Sequence, residues 1–369
     1  MRLAASSFSG LVAVLLALLT GRDIEAHKPI TSKYTYSKDV FPIFRDRCGG
    51  CHAPSGAAPM SLLDYKGAVP WAESIREELT ARRMPPWSVG STTPVLGRNQ
   101  LVSAIELDTI VTWAAGGTPE GDQGHQAAPI DRRDDWPAGK PDLVVPMEAE
   151  HVLLGEVREE TWTFTLNPGL AETRWVKAAD LLPGMRSMVR DATISVENGP
   201  VLAVWEPGDE PIWAPHGAGF RLEAGARLQV RIHYKKSWRD EHAVRSDRSA
   251  VGLYWTDSTA HELKAVQVDG KAGCEVSTPT VVVAVRPALD RLYTRWSIQA
   301  RPPSGPPLVL LDLSAPSPEW PRRYWLAHPV ELPAGSRLEV VIGDPLPEPD
   351  GQSSPFRPIL GAAVDFTAQ

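Results

Sequence analysis

The spacing of apolar residues changes near residue 140 of this chain. Before that point apolar residues recur every three or four positions, which predicts helices that bury one face. The predicted helices cover residues 37–44, 68–83 and 99–115, and Gly116-Gly117 follows the last one as a stop signal. After that point the apolar runs are short and alternate with polar positions, as is typical of β-strands.

Turn signals, rather than helical segments, separate the predicted strands. This arrangement favours β-sandwiches over alternating βαβ units. The 35 prolines and 29 glycines among 369 residues agree with a chain that turns often. The clearest strands lie at residues 226–234, 250–255, 279–286, 307–313 and 336–342.

One turn-and-strand pattern occurs twice, 110 residues apart. Residues 222–232 (LEAGARLQVRI) match residues 332–342 (LPAGSRLEVVI), and both contain an Ala-Gly turn followed by alternating apolar positions. Duplication of a β-domain of about 110 residues explains the match. A common turn-strand motif that arose twice is the alternative.

These patterns predict a multidomain chain in which a small all-α domain precedes two all-β sandwiches. The segment between them is assigned as a linker because it is polar and rich in proline and glycine. The predicted parts are a signal peptide at 1–26, the helical domain at 34–120, the linker at 121–140, and sandwiches at 141–268 and 269–369.

The first 26 residues have the pattern of a secretory signal. Arg2 supplies the positive charge, residues 11–19 (LVAVLLALL) form the apolar core, and cleavage is predicted after Ala26. The apolar run is short for a membrane span. We therefore expect an exported, periplasmic protein, with membrane association through an uncleaved signal segment as the alternative.

Composition is that of an ordinary globular protein, with 43% hydrophobic and 22% charged residues. The formal net charge is −7, and the sequence contains no basic cluster that would offset it locally. We therefore expect no nucleic acid among the partners of this chain.

Two of the three cysteines and one histidine form the sequence Cys48-Gly49-Gly50-Cys51-His52. Two thiols at this separation join both vinyl groups of a porphyrin, and the histidine behind them binds the iron as proximal ligand. The motif predicts one covalently attached haem c. The alternatives lack support: a redox-active Cys-x-x-Cys would need a thioredoxin-like βαβ context, and a zinc site would need a second Cys/His pair.

A six-coordinate haem iron needs a second axial ligand, and a methionine thioether is a common choice. Met60 and Met84 are the methionines of the predicted helical domain. Met60 is only eight residues past His52, so the chain would barely round the edge of the haem. Met84 follows a whole predicted helix and precedes Pro85-Pro86, which restrict the backbone behind it. We predict His52 and Met84 as the axial ligands and Met60 as apolar packing.

With these residues, the region from about 36 to 120 resembles the class I cytochrome c domain. The stretches CGGCHAPSGAAPMSLLDY and WAESIREELTARRMPPW are similar to a subtype found in exported bacterial proteins. In that subtype the cytochrome precedes a β-region similar to copper type II, ascorbate-dependent monooxygenases of the peptidylglycine α-hydroxylating class. The resemblance implies that residues 141–256 and 277–343 form two jelly-roll-type sandwiches.

The copper ligands of that monooxygenase class are mostly absent from this chain. The class has adjacent histidines where this sequence has Arg190-Asp191, and a His-x-His pair where it has ALD at 288–290. His233 alone matches, as the third histidine of the first copper site. Arginine and alanine do not replace imidazole as copper ligands, so copper is not expected. A site built from unmatched residues remains an alternative: His216, His242 and Met188.

The sequence thus predicts an exported monohaem c-type cytochrome that exchanges electrons with a redox partner protein. On this hypothesis the chain is an electron carrier rather than an enzyme, and its β-region docks the partner or assembles a complex. Two alternatives stay open: a copper-dependent monooxygenase with a fused haem electron donor, and a haem sensor with an open sixth position.

Overall fold

The structure is a computed structural model in which helices precede a larger β-sheet region. It describes residues 29–86, 89–97, 101–122, 124, 135–208, 210–215, 217–256, 261–347 and 359–368. The predicted signal peptide at 1–26 lies outside the described residues. Within them, no helix is both long and apolar enough to cross a membrane.

A helical region covers residues 36–115, close to the positions predicted from apolar spacing. Its first segment is continuous and runs up to Cys48. The helix predicted to start at residue 99 begins at Ala104, because Ser103 and Glu106 form a capping box with bonds of 3.2 and 2.7 Å. The helical bounds are Tyr36–Val40, Phe41–Ile43, Phe44–Cys48, Tyr65–Ala68, Val69–Trp71, Ala72–Thr80 and Ala104–Ala115.

These helices share one apolar core built around aromatic rings. Tyr36, Phe44 and Trp113 are each 1% exposed or less. The ring of Trp113 meets Phe44 edge-on at 6.1 Å, a favourable arrangement for two aromatic side chains. The core therefore fixes the end of the first segment, at Cys48, against the last helix.

The β-strands occupy the rest of the described chain and agree closely with the predicted ones. The strand predicted at 250–255, for example, is observed at those residues. In chain order the strands are β1 (Leu143–Pro146), β2 (His151–Leu153), β3 (Glu159–Leu166), β4 (Arg174–Leu182), β5 (Val189–Val196), β6 (Val201–Trp205), β7 (Ala218–Leu222), β8 (Leu228–Lys235), β9 (Arg245–Asp247), β10 (Ala250–Trp255), β11 (His261–Asp269), β12 (Cys274–Val276), β13 (Thr280–Ala288), β14 (Arg295–Arg301), β15 (Leu308–Ser314), β16 (Tyr324–Leu332), β17 (Ser336–Ile342) and β18 (Gly361–Ala368). A short 3-10 turn, Trp238–Asp240, lies between β8 and β9.

The strands form two units with the same topology. In the first β-unit (residues 143–255) the sheets have the orders β1-β10-β4-β7 and β3-β8-β5-β6. In the second β-unit (residues 261–368) the orders are β11-β18-β13-β16 and β12-β17-β14-β15. With the small β2-β9 pair set aside, the two units match strand for strand. An apolar core lies between the sheets of each unit, and the core of the first unit also includes Leu263, Val283, Ala284 and Trp325 of the second unit.

The repeated sequence pattern occupies equivalent places in the two units. One copy runs from the end of β7 into β8, and the other runs from the end of β16 into β17. The apolar residues Leu228 and Leu338, which begin the two alternating runs, are both fully buried. The second unit begins earlier than the predicted boundary at residue 269, because β11 pairs with β18 from Leu263 onward.

Strand pairing and buried charge join the two β-units. β7 and β11 run parallel and pair Ala218 with His261, so one sheet continues across both units. Arg323 of the second unit is 6% exposed and donates to the carbonyl oxygens of Val201 and Leu202 at 2.6 and 2.8 Å. A buried cation that loses such partners is strongly destabilising, so this contact holds the units in one arrangement.

A strap of residues 89–97 connects the helical region to the second β-unit. The Gly90 N–H donates to the Asp312 carbonyl at 2.7 Å, and the Gly97 N–H donates to the Trp325 carbonyl at 2.9 Å. These partners belong to β15 and to β16, the next strand along the chain. The two strands lie in different sheets, and each is the outer strand of its sheet. The strap covers strand edges whose backbone groups would otherwise face solvent.

Candidate functional site

The 48–52 turn brings Cys48, Cys51 and His52 together at the end of the first helical segment. The N–H groups of Cys51 and His52 both donate to the Cys48 carbonyl, at 3.2 and 2.9 Å. Neither cysteine forms a disulfide. The three predicted haem-attachment residues therefore lie in one tight turn, with both cysteines in the thiol form.

The two glycines of this turn are required by close backbone approaches. A Cβ on Gly49 would lie 2.6 Å from the Arg45 carbonyl oxygen, within the helical region. A Cβ on Gly50 would lie 2.7 Å from the Pro207 carbonyl oxygen, in the first β-unit. Both distances are shorter than real Cβ contacts, so any larger residue would displace the backbone.

The side chain of His52 is held by one hydrogen bond to a backbone carbonyl. Its Nδ1 lies 3.3 Å from the Met60 carbonyl oxygen, which selects the tautomer with a proton on Nδ1 and the lone pair on Nε2. Burial lowers the pKa of His52 to about 4, with a further lowering by the charge of Arg190 and an opposing effect of the Met60 hydrogen bond. The imidazole is therefore neutral at pH 7, as metal binding requires.

The thiol of Cys48 does not have the character of a redox-active cysteine. Burial, followed by the neighbouring Cys51 and Glu106, raises the pKa of Cys48 to about 12. Reactive Cys-x-x-Cys pairs instead stabilise a thiolate and lower the pKa of the thiol. This environment disfavours the redox-dithiol interpretation of the motif.

The two methionines considered as second axial ligand lie in different surroundings. Met60 is half-buried against the core of the helical region. Met84 is 37% exposed, and its backbone N–H donates to the Glu78 carbonyl at 3.3 Å. The role of Met84 as the second axial ligand stays a prediction.

The first β-unit covers the 48–52 turn, a feature that the sequence did not reveal. Arg190 on β5 donates from Nη1 to the Ala57 carbonyl at 2.7 Å. The loop after β6 also touches the turn, since the Cys51 Sγ lies 3.9 Å from the Pro207 carbonyl oxygen. In the sequence, Arg190 stands out only as a departure from a copper-ligand pattern. Its contact with Ala57 joins residues more than 130 positions apart, and no local pattern encodes that pairing.

His233 lies beside Asp191, at the place that the monooxygenase resemblance assigned to copper. Its Nδ1 is 2.8 Å from Asp191 Oδ2, and its Nε2 is 2.8 Å from Glu159 Oε1. Burial alone would lower the pKa of His233, but the two hydrogen-bonded carboxylates outweigh it and raise the pKa to about 9. Both ring nitrogens thus carry protons and donate to carboxylates, so neither presents a lone pair to a metal.

The other residues weighed for copper do not assemble into a site. Asp290 accepts a hydrogen bond of 2.7 Å from the Tyr293 hydroxyl, and Met188 is buried in the core of the first β-unit. His242 is exposed, while His216 lies outside the described residues. Within the described part of the chain, no group of three or more His, Cys, Asp or Glu side chains is placed to hold a metal ion.

Comparisons with known proteins assign no family to the chain. No family model and no curated protein matches it. A solved structure described as a candidate alpha-L-fucosidase from Bacteroides ovatus is 11% identical over 67% of this chain, with a TM-score of 0.20. This chain covers only 42% of that protein. Bacillus subtilis oxalate decarboxylase is 8% identical over 65% of this chain and 80% of its own, with a TM-score of 0.15.

Proposed function

We propose that this protein is an exported monohaem c-type cytochrome that carries electrons to or from a redox partner protein. Cys48 and Cys51 attach the haem, and His52 and Met84 are its axial ligands. Bound haem supplies one-electron exchange between Fe(II) and Fe(III). The β-units are a non-catalytic region that docks the partner or holds the protein in a complex.

The state of His52 is the observation that carries this proposal. A neutral imidazole, oriented by a backbone carbonyl at 3.3 Å, stands directly behind two cysteines in one turn. The carbonyl on Nδ1 leaves Nε2 as the basic nitrogen of the ring. Thiols, spacing and ligand state all fit covalent haem, and they do not fit a thiolate-based redox pair.

The position of Met60 supports Met84 as the second axial ligand. The Met60 carbonyl oxygen lies 3.3 Å from the Nδ1 of His52, whereas Nε2 would be the nitrogen that binds iron. The Met60 side chain packs against the helical core. A second axial ligand would then come from another segment, and Met84 is the candidate that follows.

The topology of the β-units supports the jelly-roll part of the proposal. When the strands of each unit are numbered along the chain without β2 and β9, both units have sheet orders 1-8-3-6 and 2-7-4-5. Two four-stranded sheets in this order are a jelly roll. The ion pairs on both nitrogens of His233 favour a region without copper chemistry, and hence a docking or assembly role.

The proposal is tested on the full chain produced in a bacterial host that has haem-attachment machinery. We expect haem staining on a denaturing gel, about one iron per chain and a low-spin spectrum with the weak methionine–iron band at long wavelength. Replacing both Cys48 and Cys51 by alanine should abolish the stain. Cys274→Ala is the matched control and should leave it unchanged.

Each alternative predicts a different result in the same preparation. Absence of covalent haem in the wild-type protein would refute the proposal. Stoichiometric copper together with oxygen consumption in the presence of a reductant would favour the monooxygenase. A high-spin spectrum that shifts with carbon monoxide would favour the sensor. Loss of the methionine band in Met60→Ala, with retention in Met84→Ala, would reassign the axial ligand.

A further inference from the structure

One side chain of the first β-unit, Arg190, reaches the loop that follows the 48–52 turn. Its guanidinium donates to the carbonyl of Ala57, a residue that is 3% exposed. The other side of the guanidinium lies over the Trp320 ring, 5.8 Å from its centre. The hydrogen bond and the ring contact together fix the position of the charge, beside the loop that follows His52.

Most of the acidic charge near Arg190 is already paired with other cations. Glu159, Asp191 and Glu319 are the acidic groups that face it. Glu159 and Asp191 are already paired with two cations, the His233 imidazolium and the Lys235 ammonium at 2.9 Å from Glu159. These two acids and two bases sum to zero charge, so Glu319 is the remaining local counter-charge.

We infer that Arg190 sets the reduction potential of the haem predicted at the 48–52 turn, and raises it. The inference rests on the proposed function and gives the first β-unit a second role beside docking. A fixed cation near the iron disfavours Fe(III), which carries one more positive charge than Fe(II), and the low dielectric of a buried site strengthens this effect. Arg190 is thus a positioning and charge-setting residue, with no part in binding the iron.

Potentiometric titration of the haem spectrum tests the inference. Arg190→Met and Arg190→Gln remove the charge at similar side-chain length, and both should shift the midpoint to more negative values. Arg190→Lys should lie closer to the wild type. Arg221→Gln is the matched control, because it removes one positive charge from an exposed side chain of β7 that pairs with Glu223 at 3.2 Å. It should leave the potential unchanged.

Removing a negative charge near Arg190 tests the same inference in a protein that keeps Arg190. Glu319→Gln removes the remaining counter-charge and should shift the midpoint to more positive values. The inference is overturned if folded neutral variants at 190 have the wild-type potential, or if Arg221→Gln shifts the potential equally. If neither neutral variant folds, an unchanged potential in Glu319→Gln overturns it. Failure of the proposed function is distinct, since the wild type would then carry no haem.

Discussion

Two histidines in this molecule have opposite protonation states. His52, in the helical region, has a pKa lowered to about 4, whereas His233, in the first β-unit, has a pKa raised to about 9. His52 contacts a neutral carbonyl oxygen, and His233 contacts two carboxylates. Burial disfavours the charged form at both sites, so the partners decide the outcome.

This difference shows why the presence of a histidine does not by itself predict a metal site. At His52 one nitrogen is occupied by the Met60 carbonyl and the other carries a lone pair. At His233 both nitrogens donate protons to acids from neighbouring strands. The first arrangement keeps one basic ring nitrogen, and the second is an internal ion pair.

The largest expected effect is on haem ligation, which should depend on His52 and not on His233. His52→Ala should lose the low-spin haem spectrum, because the proximal nitrogen is removed. His233→Ala should retain covalent haem and the low-spin spectrum in whatever protein folds. Visible spectroscopy and haem staining of both variants measure this. Equal loss of the spectrum in the two variants would contradict the comparison.

The second prediction concerns stability. His233→Ala leaves the carboxyl of Asp191, 2% exposed, buried without its cation, and should lower the free energy of unfolding by about 3–5 kcal/mol. Denaturant titration at pH 7 measures the loss. His242→Ala, which removes an exposed imidazole, is the control and should change stability by less than about 0.5 kcal/mol.

The third prediction is a pH dependence with a defined sign. Because the pKa of His233 rises from 6.5 to about 9 on folding, the folded state holds a proton that the unfolded state releases between these values. Protonated His233 therefore stabilises the folded state by ~3 kcal/mol. This stabilisation is fully present below pH 6.5 and is lost as pH rises through 9. Unfolding free energies measured from pH 6 to 10 should show this slope in the wild type. The slope should be absent when His233 is replaced by Ala.

The fourth prediction compares two glycines. Gly50→Ala places a Cβ 2.7 Å from the Pro207 carbonyl oxygen, so the helical region and the first β-unit must separate slightly. This separation should lower the free energy of unfolding by about 1–3 kcal/mol. Gly97→Ala places a Cβ 3.8 Å from the Trp325 carbonyl oxygen, which is an ordinary contact. Thermal unfolding of the two variants should therefore differ clearly. Equal unfolding temperatures would argue against the close approach at Gly50.

The smallest expected effect concerns the strap of residues 89–97. Thr92→Val removes a hydroxyl that donates to Asp312 Oδ2 at 2.5 Å, and should cost about 1–2 kcal/mol. Limited proteolysis near the strap should become faster. Thr163→Val, at an exposed position of β3, is the matched control and should leave proteolysis unchanged. Equal rates in both variants would show that the strap does not depend on this bond.

Much of the fold followed from local pattern. Helical spacing located the helix observed at Ala104–Ala115 to within five residues at its start, and alternation located β10 and β17. The repeated turn and strand indicated a duplication, and both copies occupy the same place in their units. The start of the second β-unit was placed too late, because the pairing of β11 with β18 joins distant parts of the chain.

By itself the sequence determined the Cys48-x-x-Cys51-His52 turn, since its hydrogen bonds join residues within a few positions of one another. It equally determined which segments form helices and which form strands, because each periodicity is read over a short window. Only the tertiary structure decided that Pro207 covers the turn, that Arg190 contacts the loop after it, and that His233 is enclosed by acids. These contacts depend on the register of strands far apart in the chain, and no short window of sequence contains that register.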